Sequence, residues 1–267
     1  MKILVCLKQI LDPEVSPRDF QVDPDRLEAV LGSASLVTNI FCENALETAL
    51  QLREGSDSEI TAMTFGPDDA EETLRKAFAL KVDHAYRIAT PEIPHCNSAG
   101  AATVLAAAIK KLGTFDLIML GRESGDWGEG QTAGLVAEML GLNCVSFVDQ
   151  IDIVDAGVHL QRQTDVGREK LVSDTPVVVS ITNTETNVPR IPKTRDIMLA
   201  HRKELTTWTL DDIGLDEEKV TRAANATQVV ELYIPEETSS CEFITGDSLD
   251  DRIRELAQRI ANIVQSV

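Results

Sequence analysis

The 267-residue sequence predicts an α/β fold: an open, mostly parallel sheet with helices on both faces, followed by a C-terminal arm and helix. Three observations predict it. Short apolar runs, 2–7 (KILVCL) and 176–182 (PVVVSIT) among them, have the near-continuous hydrophobicity of strands buried on both faces. In the first half these runs alternate with helical stripes, giving β-α-β-α-β-α-β-α, the order of a parallel sheet joined by crossover helices. The third observation is a strand, a glycine-rich acidic loop and a helix in succession over 114–141, TFDLIMLGRESGDWGEGQTAGLVAEMLG.

The elements follow in chain order. After the first strand, Lys8 to Arg26 is polar, contains prolines and reads as a loop, at the strand end where open α/β sheets place ligands. The turn TNIFC leads into a helix from Glu43, whose stripe is Ala45, Leu46, Ala49, Leu50 and Leu52 and whose end is marked by Gly55. EITAMTF (59–65) is the second strand, stopped by Gly66-Pro67. Asp68 is expected to cap the next helix, which runs through Leu80, with Asp69 beside it at the positive end of the dipole. HAYRI (84–88) is a short strand, and an alanine-rich helix runs from Asn97 or Ser98 to Leu112. Asp116–Leu120 is a strand, and the helix Gln131–Leu140 buries Leu135, Val136, Met139 and Leu140. VSFVDQIDI, VHLQRQ and EKLV, with Gly157 and Gly167 in turns, read as hairpin strands added at a sheet edge. A helix is expected over Arg195–Lys203.

Residues 206–247 are acidic, weakly periodic and poor in core material, and a loop of that length is unusual inside a compact domain. The expected division is therefore an α/β domain over 1–205 and, over 206–267, an arm and helix lying on a neighbouring subunit. Ile253, Leu256, Ile260, Ile263 and Val264 give the last helix, Asp250–Val267, an apolar stripe that must be buried somewhere.

Composition narrows the function. With 44 Asp and Glu against 25 Lys and Arg, the net charge of −19 argues against nucleic-acid or anionic-membrane binding, which need a basic surface. The five cysteines lack C-x-x-C spacing and read as free, mostly buried thiols of a reducing compartment. His84, His95, His159 and His201 share no ligand spacing, so no metal is assigned. The N-terminus reads as a strand rather than a signal sequence, because Lys8 interrupts it and no small-residue cleavage site follows. No apolar run approaches the ~20 residues of a membrane span. A soluble cytoplasmic chain is expected. No catalytic triad or paired carboxylates are visible.

A strand, a glycine loop and a helix present backbone N–H groups to a phosphate at the helix N-terminus. Gly121, Gly125, Gly128 and Gly130 would allow close approach, and Gln131 and Thr132 would add donors in the first turn. On the glycines alone an ordinary turn is an equal reading. Cys6 and Cys42, at a strand end and a helix start, read as small apolar fillers rather than redox thiols.

Four segments together, KILVCLKQILD, NIFCENALETALQL, GRESGDWGEGQTAG and REKLVSDTPVVVSITNTETNVPRIPKTRDIMLA, resemble the β subunit of electron transfer flavoproteins, in the same order over about the whole chain. The resemblance implies an adenine nucleotide α-hydrolase-like, Rossmann-type domain in a heterodimer with an α subunit that holds most of a redox-active FAD. It implies a carrier rather than an enzyme. Electrons would arrive from acyl-CoA dehydrogenases or similar flavoenzymes, as in fatty acid oxidation, and leave to a quinone-linked oxidoreductase or other acceptor. It also implies a structural AMP in this chain. The family's adenine pocket maps onto Cys6, onto Asn39, Ile40, Phe41 and Cys42 (with Ile40 in place of proline), and onto Phe65. Its phosphate loop maps onto Gly121, Ser124, Gly125, Asp126, Gly128, Glu129, Gly130, Gln131 and Thr132. Asp126 and Glu129 would repel phosphate, so each is expected to bond ribose or backbone or to point outward. Trp127 either stacks on the nucleotide or packs on a neighbouring loop.

The resemblance further implies a docking segment for the electron donor at Thr184, Glu185, Thr186, Asn187, Pro189, Arg190, Lys193 and Arg195. Thr184–Thr186 stand where many members carry an anchoring leucine, which leaves the donor open. Arg190 would position the flavin, tie the subunits together or form a surface salt bridge. Pro13 stands where some members place an aromatic residue near the flavin. Two alternatives remain: an electron-bifurcating subunit with a second FAD instead of AMP, and a stand-alone ATP- or AMP-binding module. The Gln131-Thr132 pair leans towards AMP.

Overall fold

The computed structural model describes residues 1–89, 97–154, 157–235 and 241–266; His95, Cys96 and Val267, the expected end of the last helix, lie outside them. The chain forms two compact units, Met1–Leu232 and Tyr233–Val267.

The first unit is built on a nine-stranded sheet. Its first half contains β1 (Lys2–Leu7), two short pairs formed by β2 (Gln9–Leu11) with β5 (Leu36–Thr38) and β3 (Gln21–Asp23) with β4 (Glu28–Val30), then α1 (Ile40–Glu54), β6 (Glu59–Gly66), α2 (Glu71–Ala79), β7 (His84–Ala89), α3 (Ser98–Leu112), β8 (Leu117–Gly121) and α4 (Thr132–Leu140). There follow β9 (Asn143–Val154), β10 (Gly157–Thr164), β11 (Gly167–Ser173), β12 (Val177–Ile181), α5 (Thr194–Ala200), β13 (Thr206–Trp208) and α6 (Glu217–Ala224). The sheet order is β11-β10-β9-β12-β8-β1-β6-β7-β13. From β9 to β13 neighbouring strands are parallel, while β10 and β11 extend the edge as an antiparallel hairpin.

Alternation along β1 assigns the helices to faces. Ile3, Val5 and Leu7 point to a core completed by Ala45, Leu46 and Ala49 of α1 and Leu74 and Phe78 of α2. Leu4 and Cys6 point to the other face, where Val104, Leu105 and Ala108 of α3 and Val136 of α4 cover them. This two-sided burial is what the continuous apolar runs foretold.

Three details differ from expectation. The segment after β1 is not all loop, because three-residue strands are too short to show alternation. Asp68 caps nothing: a 3-10 turn over Asp68–Ala70 precedes α2, and the Asp68 carboxylate takes an ion pair from Arg87 at 2.8 Å. Residues 206–224 are built into the first unit. There β13 pairs with β7, Trp208 lies 4.9 Å from Tyr86, and Val220 of α6 joins the core beside α3. A three-residue edge strand and an eight-residue helix with two buried residues carry too little periodicity to announce themselves.

In the second unit, α7 (Leu249–Ser266) is held to the preceding segment by Arg259, which pairs with Glu242 at 2.6 Å and Glu255 at 2.7 Å. Ile253, Leu256 and Ile260 of its stripe are exposed. No described helix is long and apolar enough to cross a membrane.

Candidate functional site

The chain crosses from β7 on one side of β1 to β8 on the other by way of α3. This reversal of strand order makes the carboxyl ends of β1 and β8 a topological switch point, the ligand position in open α/β sheets. Cys6 lies near the end of β1, Asn39–Cys42 at the start of α1, and Gly121 closes β8. Phe65 is the penultimate residue of β6, the strand next to β1.

The close fit of these elements explains Gly121. A Cβ there would meet the Phe41 carbonyl carbon at 2.8 Å and the Cys42 amide nitrogen at 2.9 Å. Asn39, nearly fully buried, ties α1 to the glycine loop. Its Nδ2 donates to the Glu123 carbonyl (2.8 Å), and its Oδ1 accepts from the Gly125 N–H (3.1 Å). Gly128 and Gly130 adopt φ of +64° and +65°, the left-handed region that favours glycine. Gln131 and Thr132 begin α4, where the first-turn amides have no intrahelical acceptor.

The acidic side chains of the loop are accounted for. Glu129 accepts the Ser98 N–H at 2.8 Å at the start of α3, so it bonds backbone. Thr132 Oγ1 donates to Ser98 Oγ at 3.1 Å. Lys8 Nζ donates to both Asp126 oxygens (2.8 and 2.7 Å) and to Ser124 Oγ (3.3 Å). Burial alone would raise the Asp126 pKa, but the Lys8 charge and the bonds from Lys8, Ser124 and the Trp127 N–H hold it below the usual value. A depressed folded pKa stabilises the protein above the unfolded value and loses that contribution as pH falls through the folded one. Lys8→Met should therefore flatten the loss of stability below about pH 3.8, the ordinary Asp value. An unchanged acid limb in urea unfolding would exclude this linkage.

Burial raises the pKa of both the Cys6 and Cys42 thiols, fitting their role as fillers. Lys8 and Arg122 escaped the sequence reading as site residues. Each directly follows a strand at the ligand edge, which is the signal that could have found them. The Arg122 guanidinium stacks 4.4 Å over the Phe41 ring and donates to Glu123 Oε1.

The residues expected to dock a partner form a separate group after β12. Asn187 is buried and holds the turn: its Oδ1 accepts the Thr184 N–H (2.8 Å) and its Nδ2 donates to the Thr182 carbonyl (2.9 Å). Arg190 grips the buried Glu47 with Nε and Nη2 (both 2.7 Å) and reaches Glu54 with Nη1 (2.7 Å), an ion pair within this chain. Glu185, Thr186, Lys193 and Arg195 are exposed, as are Val188, Ile191 and Met198 beside them. Thr184 and Pro189 are half-buried. Among the described residues no His, Cys, Asp and Glu cluster has metal-binding geometry.

The family model for the electron transfer flavoprotein domain matches residues 34–213. Among similar curated proteins, the caffeyl-CoA reductase-Etf complex subunit CarD of Acetobacterium woodii is 30% identical, over 97% of this chain and 98% of the relative. An electron transfer flavoprotein β subunit of Thermoanaerobacterium thermosaccharolyticum is 28% identical over the same shares. That of Mycobacterium tuberculosis is 31% identical over 85% of this chain and 86% of the relative.

Proposed function

Since the chain belongs to the electron transfer flavoprotein family, on the β-subunit side, we propose that it is the β subunit of a heterodimeric electron carrier with an AMP beyond the ends of β1 and β8. The observation that carries the AMP reading is convergence. Segments far apart in sequence come together at the ends of β1 and β8: Gly121 lies against Phe41 and Cys42, and Asn39 bonds Glu123 and Gly125. The residues present fit a nucleotide monophosphate. The first-turn amides of α4 offer N–H donors, while Lys8 neutralises Asp126, the carboxylate that would otherwise repel a phosphate. Such a site has no catalytic machinery and serves as a clamp.

A FAD held mainly by the α subunit supplies the redox chemistry. This chain completes the flavin site with residues 8–16, and α7 packs its apolar stripe on the α subunit. Residues 183–203 receive a flavoenzyme donor of the acyl-CoA dehydrogenase type, with a quinone-linked acceptor downstream. The exposed Ile191 and Met198, with Lys193 and Arg195, provide an apolar centre and a basic rim for an acidic partner. The complex works in the cytoplasm.

A second reading, a flavin nucleotide in this chain instead of AMP, is favoured by the relative named for a caffeyl-CoA reductase-Etf complex. Releasing and counting the nucleotides of the purified heterodimer separates the two. We expect one FAD and one AMP; two FAD and no AMP would replace the first reading with the second.

A further inference from the structure

Arg122 joins the glycine loop to the end of β12, from which the docking segment departs. Arg122 follows the last residue of β8, and its N–H donates to the Ile181 carbonyl at 2.9 Å. On one side its guanidinium donates to Glu123 Oε1 through Nε (3.0 Å) and Nη2 (2.8 Å) and stacks on Phe41. On the other its Nη1 donates to Thr182 Oγ1 at 3.2 Å. Thr182 is fully buried, and its carbonyl is the acceptor that fixes Asn187 and with it the turn Thr184–Asn187. Asn44 of α1 holds the same turn through the Asn187 carbonyl, at 2.9 Å.

We propose that Arg122 is a positioning residue that makes the order of the docking turn depend on whether the glycine loop holds its nucleotide. The inference rests on the AMP reading above. A guanidinium is a rigid planar fork, so it can face Glu123 and Thr182 together only when the loop and the end of β12 keep this relative position. A nucleotide that fixes Phe41 and the loop leaves the fork only this arrangement. The turn then loses less conformational freedom when a partner binds, because part of that ordering has already occurred. A second aromatic backs the fork. Phe147 lies with its ring 5.8 Å from the guanidinium, and its backbone sits at φ +59° in a bulge where its N–H donates to Ser180 Oγ at 3.2 Å. A bulky residue in that region is strained and persists only where its surroundings hold it.

The test is hydrogen exchange on the full heterodimer, stripped of nucleotide and then given AMP. In the unaltered protein AMP should slow exchange in 121–132 and also, by about fivefold, in 184–190. Thr182→Val removes only the hydroxyl that Arg122 reaches, and should keep the slowing at 121–132 while abolishing it at 184–190. Thr182→Ala removes the same hydroxyl without touching the glycine loop, should behave alike and serves if the first variant folds poorly. Equal slowing of 184–190 in the variants, or none in the unaltered protein despite slowing at 121–132, overturns the proposal. No slowing at 121–132 overturns the AMP reading itself, and this inference with it.

Discussion

Gly121→Ala is expected to destabilise the chain by about 1–3 kcal/mol, the usual cost of forcing an extra methyl into a filled site. The added carbon would stand 2.8–2.9 Å from the Phe41 carbonyl carbon, the Cys42 amide nitrogen and the Phe41 Cβ. Two of those atoms are backbone, so no rotamer change relieves the clash. The start of α1 must move away from the end of β8, and that movement loosens the Asn39 bonds to the loop. Urea unfolding of the heterodimer should show a lower midpoint, and the purified variant should retain less nucleotide. Gly128→Ala is the control. Its Cβ meets nothing within 4 Å, but its φ of +64° carries the left-handed penalty of about 1–2 kcal/mol. It should therefore lose stability without moving α1. Full nucleotide retention by Gly121→Ala would sink the role assigned to this close approach.

Removing Arg190 should have the other large effect. Arg190→Ala leaves the Glu47 carboxylate buried, with Gln51 Nε2 at 2.9 Å as its remaining side-chain donor. Breaking a fully buried ion pair costs about 3–5 kcal/mol, and the partly exposed Arg190 side chain brings the expected loss down to about 2 kcal/mol. Glu47→Ala removes the stranded charge, so the double variant should be more stable than the sum of the two single losses. Strict additivity would show that the pair is not coupled. Arg190→Ala also releases the segment that Asn187 begins, so we expect weaker docking of the electron donor, read as a raised KM for the carrier with kcat little changed.

Much of the fold was legible because it rests on local patterns. Val177–Ile181 and Lys2–Leu7 read as strands buried on two faces, and they are. The span of α3 was legible as well, read from Asn97 or Ser98 to Leu112; the structure starts it at Ser98 and makes Asn97 its cap, with Oδ1 accepting the Ala99 and Gly100 amides. Asp68 failed as a cap for a local reason of another kind: the 3-10 turn occupies the place where the helix was expected to start. The candidate site was legible as separate pieces. Glycine spacing marked 121–132, and the order of motifs marked Cys6 and Asn39–Cys42 as its companions. Of the alternatives left open for Glu129, ribose, backbone or an outward position, the structure shows backbone, the Ser98 N–H.

What the sequence by itself determined is the order of the longer strands and helices through β12, the two-sided burial of the sheet and the position of the glycine loop. Each of these is set by residues within a few positions of one another. Only the tertiary structure decided that Lys8 neutralises Asp126 across 118 positions, that Arg190 closes on Glu47 across 143, and that β13 joins the sheet beside β7. It also decided that Asn187, expected as a docking residue, is buried as the pin of its turn. The physical reason is that these contacts form between side chains whose separation along the chain carries no periodic signal. They exist because the parallel sheet carries the ends of β1, β8 and β12 to one edge, where short-range forces act between residues the sequence keeps apart.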